Sequence, residues 1–181
     1  MKRKLKDGSV AEIDPKFAET KNLLKILAAA QAAILAEESN GQKVFSTKNL
    51  VGEWAEILCC EKLGLTQEIP SNEGWDATDG AGRRYQIKAR MDNDGNGGDT
   101  TMGDVSDQAL SEIDFVICAF MNKDFTAKRA YLIPASRYKD FCVKRSEESK
   151  HARPNRLILS RSTAKKLEAD GIADISEILN K

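Results

Sequence analysis

An aspartate at position 76, a glutamine ten residues later at 86 and a lysine at 88 are the residues of this chain whose types and spacing suit catalysis. Gln86 and Lys88, two apart, face the same way if they lie on a strand. Together the three fit hydrolysis of a phosphodiester. Near neutral pH that reaction takes a hard divalent cation, Mg²⁺ or Mn²⁺, to polarise the phosphate and acidify a water, and such ions prefer oxygen ligands. Asp76 and the amide of Gln86 offer oxygens. Lys88 is placed to orient the water or offset charge growing on the phosphorus centre.

Other chemistries have less to work with. His151 is the only histidine, so a histidine-based metal cluster is excluded, and a Ser-His-Asp triad could form only around that residue, which reads as surface beside Lys150 and Arg153. Four cysteines, Cys59, Cys60, Cys118 and Cys142, lack the CxxC spacing of a zinc or redox site and read as thiols.

The elements that must position these residues are legible in outline. Asp14-Pro15 opens a long helix in which Phe17, Leu24, Leu27, Ala30 and Ile34 recur at helical spacing, and Ser39-Asn40-Gly41 stops it. A second helix runs from Thr47 to Leu63, carries Glu53 and Glu56, and ends at Gly64. Short strands are expected at Leu65 to Ile69 and Trp75 to Thr78. Asp79-Gly80-Ala81-Gly82 then reverses the chain into a strand from Arg83 to Arg90. Alternation puts Tyr85, Ile87 and Ala89 on one face, with Arg84, Gln86, Lys88 and Arg90 on the other. Seven acids and no Lys or Arg between Asp92 and Asp114, with Gly95, Gly97 and Gly98, predict a long mobile loop. Apolar runs at Phe115 to Phe120 and Ala130 to Ile133 read as paired strands. A helix from Ala135 to Val143, a strand at Arg156 to Leu159 and a helix capped by Ser160 or Ser162 and stopped by Gly171 complete the pattern.

Gly74-Trp75-Asp76, the turn, and Tyr85-Gln86-Ile87-Lys88-Ala89-Arg90 resemble the core motif of the PD-(D/E)xK, or restriction-endonuclease-like, nuclease superfamily. Trp75 stands where the commonest form has Pro, and Gln86 where it has an acid. The Gln form resembles that of modified-DNA restriction endonucleases, and it removes one negative charge at the metal. With the Arg-Ala-Tyr-Leu-Ile-Pro-Ala run near Ile133, the stretch from Leu50 to Leu167 also resembles an uncharacterised bacterial branch of the superfamily.

The resemblance implies an α/β fold with a restriction-endonuclease-like core, a central mixed β-sheet of four to five strands flanked by helices. It implies a metal-dependent DNA endonuclease in restriction or phage defence, with Asp76, Gln86, Lys88 and a helix glutamate as catalytic residues. Asp76, Gln86 and that glutamate would hold Mg²⁺ or Mn²⁺. Members commonly draw the glutamate from about three turns before the glycine that ends the helix. Glu53, 11 residues before Gly64, fits that position; Glu56, in a Gly-x-x-x-Glu arrangement with Gly52, is the alternative.

Composition bounds partners and layout. The 181 residues suit one compact unit, with residues 1–46 as a helical segment packed on the core and 47–181 as the nuclease-like domain. Lys plus Arg number 28 and Asp plus Glu 28, so no global field draws the chain to a polyanion. Local charge matters instead: Met121 to Asp170 holds 13 Lys plus Arg against 6 Asp plus Glu, a surface suited to gripping a nucleic-acid backbone. Arg83, Arg84 and Arg90 beside the motif either grip DNA phosphates or protect a strand edge with charge. The basic start, Lys2, Arg3, Lys4 and Lys6, reads as a frayed end. No signal peptide or membrane span is evident, and a cytoplasmic protein with no nucleotide cofactor is expected. Many nucleases that cut both strands are homodimers, although no heptad or self-complementary patch is readable. The competing expectation is a catalytically weak or inactive nuclease-fold adaptor that binds DNA or protein, because the neutral Gln86 and the acidic stretch weaken metal affinity.

Overall fold

The computed structural model describes residues 2–4, 10–12, 17–39, 42–43, 45, 49–68, 74–92, 100–142 and 155–181. The chain forms two compact units, Met1–Thr47 and Lys48–Lys181. In the first unit β1 (Lys2–Lys4) pairs antiparallel with β2 (Val10–Glu12), α1 spans Phe17–Leu35, and β3 (Glu38–Ser39) pairs with β4 (Gln42–Lys43). The basic start is therefore a strand, its frayed-end reading corrected by the ladder to Val10–Glu12. Asp14-Pro15 and Asn40-Gly41, the expected start and stop of the long helix, lie outside the described residues.

The second unit runs α2 (Leu50–Leu63), β5 (Thr66–Gln67), β6 (Ala77–Thr78), β7 (Arg84–Met91), β8 (Thr100–Thr101), α3 (Asp107–Glu112), β9 (Phe115–Met121), β10 (Ala127–Pro134), α4 (Ala135–Phe141), β11 (Ile158–Leu159), α5 (Arg161–Ala169), β12 (Ala173–Asp174) and α6 (Ser176–Leu179). Its helix ends follow local rules. The Asn49 side chain accepts from the Gly52 N–H, Ser160 accepts from Thr163, and Gly64 closes α2 in the left-handed region at φ 66°.

A mixed sheet in the order β12-β10-β9-β7-β6-β5 forms the frame, parallel between β7 and β9 and antiparallel elsewhere. Six strands exceed the expected four to five because Ala173–Asp174 adds an edge too short to leave a period in the sequence. The apolar run of β9 is buried on both faces, which is why it reads as continuous rather than alternating. Val116, Cys118 and Phe120 enter one core with Tyr131, Ile133, Tyr138, Phe141 and Leu167. Ile117, Ala119 and Met121 enter the other with Ala55, Leu58, Cys59, Tyr85, Ile87 and Leu179. Helices thus cover both faces, α2 and α6 on one and α4 and α5 on the other. Trp54 of α2 fastens its layer by donating Nε1–H to the Phe125 carbonyl, 3.0 Å away.

The acidic stretch departs from the expected loop. Residues 93–99 lie outside the described residues, but Thr100–Thr101 pairs with Ile158–Leu159, α3 follows, and Met102 and Val105 are 1 % exposed. Met102, Val105 and Ile113 pin this mostly polar run to the core, with Ala109 and Leu110 packed against it. Among the described residues no helix is long and apolar enough to cross a membrane.

Ile117 is fully buried in the central strand, so Ile117→Ala should cost about 2–5 kcal/mol through lost transfer energy and a residual cavity. Urea denaturation of the purified protein measures it. A loss well under about 1 kcal/mol would mean that this face of β9 is not packed as described.

Candidate functional site

The site arises from unequal strand lengths. β6 has two residues and β7 eight, so β6 pairs only Thr78 with Arg84 and Ala77 with Tyr85, leaving the rest of that edge of β7 without a strand partner among the described residues. Tyr85 points its carbonyl to this edge, where it accepts the Asp76 N–H at 2.8 Å. Strand alternation sends the main-chain groups of Ile87, Ala89 and Met91 the same way. The Ile87 N–H meets a side chain instead of a strand, the Oδ2 of Asp76 at 2.6 Å.

Asp76 is held from every side. Its N–H and C=O are bonded to Tyr85 and to the Glu68 N–H (2.9 Å), and its Oδ2 also accepts from Nε2 of Gln86. The preceding turn is locked too. Gly74 has φ 140°, a Cβ there would sit 3.1 Å from the Glu112 carboxylate, and Trp75 lies under the Arg84 guanidinium at 3.9 Å. Trp75 is thus an anchor against β7 in the position where the commonest motif has Pro.

Asp76 opens into a cleft of about 670 Å³. Its walls include Asn49, Gly52 and Glu56 from the start of α2, Lys88, Arg90 and Met91 from β7, and Gly103 and Asp104 from the segment before α3. Gly52 lets the capping Asn49 approach, since a Cβ there would lie 2.4 Å from its Nδ2. Gly103 lies beside the Lys88 stem, where an added Cβ would be in ordinary van der Waals contact with Lys88 Cδ at 3.8 Å.

The electrostatics are those of crowded acids. Burial first, then the neighbouring Asp76 and Glu53, push Glu56 up to about 7, against the opposing influence of Gln67 and Lys88. Burial also raises Asp76, with the Ile87 N–H, Lys88 and Gln86 pulling the other way. Two carboxylates that resist ionising in one cleft fit a hard divalent cation, which would favour their charged forms. The Asp76 Oδ1 accepts no hydrogen bond among the described residues, leaving it open to such an ion. No group of three or more His, Cys, Asp or Glu is gathered around one point among the described residues.

Asp76, Lys88 and Glu56 are brought together by the fold. Glu53, the preferred helix acid of the sequence reading, is not among the cleft residues, and Glu56 takes that place one turn later. Gln86 is 8 % exposed and turns its amide N–H onto Asp76, where an oxygen ligand was expected. A glutamate at 86 would have no proton to give in its ionised form, so the Gln is what makes this contact possible. Arg90 lines the cleft. Arg84 is stacked on Trp75 and bonded to the Glu112 carbonyl, while Arg83 is paired with Asp79 at 2.6 Å.

Three acids of the acidic stretch meet bases of the basic one. Asp92 pairs with Lys128 (2.7 Å), Asp104 with Arg156 (2.9 Å) and Asp107 with Lys139 (2.8 Å), so the basic surplus of 121–170 is less available than its count suggests. His151 lies outside the described residues. The four cysteines are free thiols, and burial lifts Cys59 and Cys118 up to about 12, which keeps them unreactive. Sequence reasoning missed Asp104 as a cleft residue. Its signal was the apolar pair Met102 and Val105 around Gly103-Asp104.

The raised Glu56 gives a signed pH prediction. A carboxyl whose folded-state pKa exceeds its ordinary 4.5 binds its proton more tightly when folded. Its contribution is complete below about pH 4.5 and is lost as pH rises through about 7. Glu56→Gln should flatten that loss, giving a variant more stable than the parent at pH 8 and close to it at pH 5, as thermal melting would show. Equal pH dependence in both proteins would count against the described burial of Glu56. Neither a protein-family model nor a curated protein sequence matches this chain, and the site is read from its own residues.

Proposed function

We propose that this cleft hydrolyses phosphodiester bonds in DNA with Mg²⁺ or Mn²⁺, on a restriction-endonuclease-like core formed by α2, β6, β7, β9 and β10. The observation that carries the reading is the convergence of Asp76, Glu56 and Lys88 in one cleft beside β7. Asp76 and Glu56 would hold the ion, with the Asp76 Oδ1 directed to it. When bound, it would polarise the phosphate and acidify a water. Lys88 orients that water and meets negative charge on the phosphate oxygens, its stem braced beside Gly103. Gln86 and the Ile87 N–H fix the Asp76 carboxylate so that no reorganisation is needed when substrate arrives. Arg90, exposed at the cleft wall, contacts backbone phosphates outside the reacting one. We place this activity in restriction or phage defence inside the cell, with a homodimer as the form that would cut both strands.

One observation favours the second reading, a nuclease-fold adaptor. Gln86 already satisfies Asp76 with a neutral donor, which lowers the need for a cation. Metal affinity separates the two. Calorimetric titration should find Mg²⁺ or Mn²⁺ binding at millimolar or tighter strength that disappears in Asp76→Asn, whereas an adaptor would bind DNA with no dependence on the ion.

Incubated with plasmid DNA and Mn²⁺ or Mg²⁺, the protein should nick or linearise it. Asp76→Ala and Lys88→Ala should each lower the rate by at least about 10²-fold, the scale of a lost electrostatic contact to the reacting group. Glu56→Gln should be nearly as damaging and Glu53→Gln mild. Intact DNA with every ion would rule out the hydrolase, and a severe Glu53→Gln defect beside a mild Glu56→Gln one would reassign the helix acid.

A further inference from the structure

The ion pair on the far wall of the cleft is tied to the substrate path. Asp104 lines the cleft, and its Oδ1 takes the Nε–H of Arg156 at 2.9 Å, with the two side chains 24 % and 38 % exposed. Both partners sit on backbone fixed independently of the pair. Met102, two residues before Asp104, donates its N–H to the Leu157 carbonyl (2.9 Å), next to Arg156 in the chain. Thr100–Thr101 pairs with Ile158–Leu159. Asn155, in the left-handed region at φ 56°, gives its side-chain N–H groups to the Val105 carbonyl (3.0 Å) and the Asp107 carboxylate (2.6 Å). The chain can hold this left-handed turn because Asn tolerates it better than most residues. Arg156 is thus carried by a two-strand clasp to Asp104, which lines the cleft, and only its side chain need move to reach past that acid.

A guanidinium recognises carboxylate and phosphate with the same planar fork of N–H donors, so one anion substitutes for the other with little rearrangement. A partly exposed pair of this kind contributes little to folding stability, so breaking it costs the fold little. The clasp could have ended in any polar pair. It ends in one whose acid lines the cleft, where a further unmatched carboxylate would add to the repulsion of a polyanion.

Resting on the reading of this cleft as a nucleic-acid site, we propose that Asp104 and Arg156 form an exchange gate: Asp104 occupies the Arg156 guanidinium as a stand-in anion until a backbone phosphate of DNA displaces it. Arg156 is then a substrate-binding residue outside the reacting group. Asp104 is a positioning residue that keeps Arg156 aimed at the cleft and holds off anions too weak to displace it. The segment before α3, acidic in sequence, thereby tolerates DNA beside it.

A double-mutant cycle tests this, using anisotropy of a fluorescently labelled DNA duplex with the full chain, in EDTA and again with Mg²⁺ in a Lys88→Ala background. Asp104→Asn should tighten binding by about tenfold, the size of effect one released charge contact can give. Arg156→Ala should weaken binding and reduce the slope of log affinity against log salt by about 1. The decisive result is the double variant. In the gate it binds like Arg156→Ala alone, because the effect of Asp104 on DNA passes through Arg156. If Asp104→Asn tightens binding equally with and without Arg156, the acid merely adds charge to the cleft and the gate is wrong. Arg156→Lys keeps the charge but not the fork, so it should recover only part of the affinity; full recovery would also overturn the exchange. Failure of every variant and of the parent to bind DNA under both conditions would remove the nucleic-acid reading and the gate together, whereas binding with an additive cycle removes the gate alone. Thermal melts matching the parent's establish that each variant is folded.

Discussion

A single half-buried carboxylate organises this molecule's working edge. Asp76 stands where β6 would have to continue for β7 to be paired, and its Oδ2 takes over the missing strand's task by accepting the Ile87 N–H. An unpaired main-chain donor at that position would carry a desolvation penalty, and a buried carboxylate without donors would carry a larger one. Each group answers the other's need. The bond therefore ends the sheet and orients the acid at once, and Gln86 completes it with a second donor from the neighbouring residue. The cleft exists because the strand was replaced by a side chain.

The rest of the second unit serves that edge. β9, apolar on both faces, gives β7 a rigid parallel neighbour on its other side, with paired positions running from Tyr85 beside Phe115 to Met91 beside Met121. α2 packs on the Tyr85 and Ile87 face, and its N-terminal half then reaches the cleft, with Glu56 in its lining and Asn49 capping. The opposite wall is set by the β8–β11 clasp, which holds Gly103 against the Lys88 stem. Charge follows the same plan. A chain with no net charge has arranged its acids so that Asp92, Asp104 and Asp107 lie on basic partners, while the acids left facing the cleft with Lys88 are Asp76 and Glu56.

Much of the architecture was legible because it depends on short-range rules. Gly64 past α2, Ser160 before α5 and the Asp79–Gly82 reversal act through backbone geometry and local donors. The pairing of β9 with β10 follows from two apolar runs joined by a short polar turn. What escaped was whatever two residues could decide. Ala173–Asp174 joins the sheet through two paired positions, and Met102 with Val105 converts an acidic stretch into part of the core. Such short segments leave no periodicity to read, since their burial is conferred by neighbours distant in the chain.

For the site, the sequence by itself determined the residue types and the strand parity: an aspartate before a turn, and a glutamine and a lysine two apart on the returning strand. It could not determine which helix acid arrives. Glu53 and Glu56 are three residues apart on one helix, and their choice rests on the rotation of α2 about its axis, set by Ala55, Leu58 and Cys59 packing under β7. Nor could it show that Gln86 would be buried and turned onto Asp76, because that contact joins residues of two different strands and is made only when the sheet is assembled. Local chemistry is encoded residue by residue, while convergence is a property of packing that only the folded chain expresses.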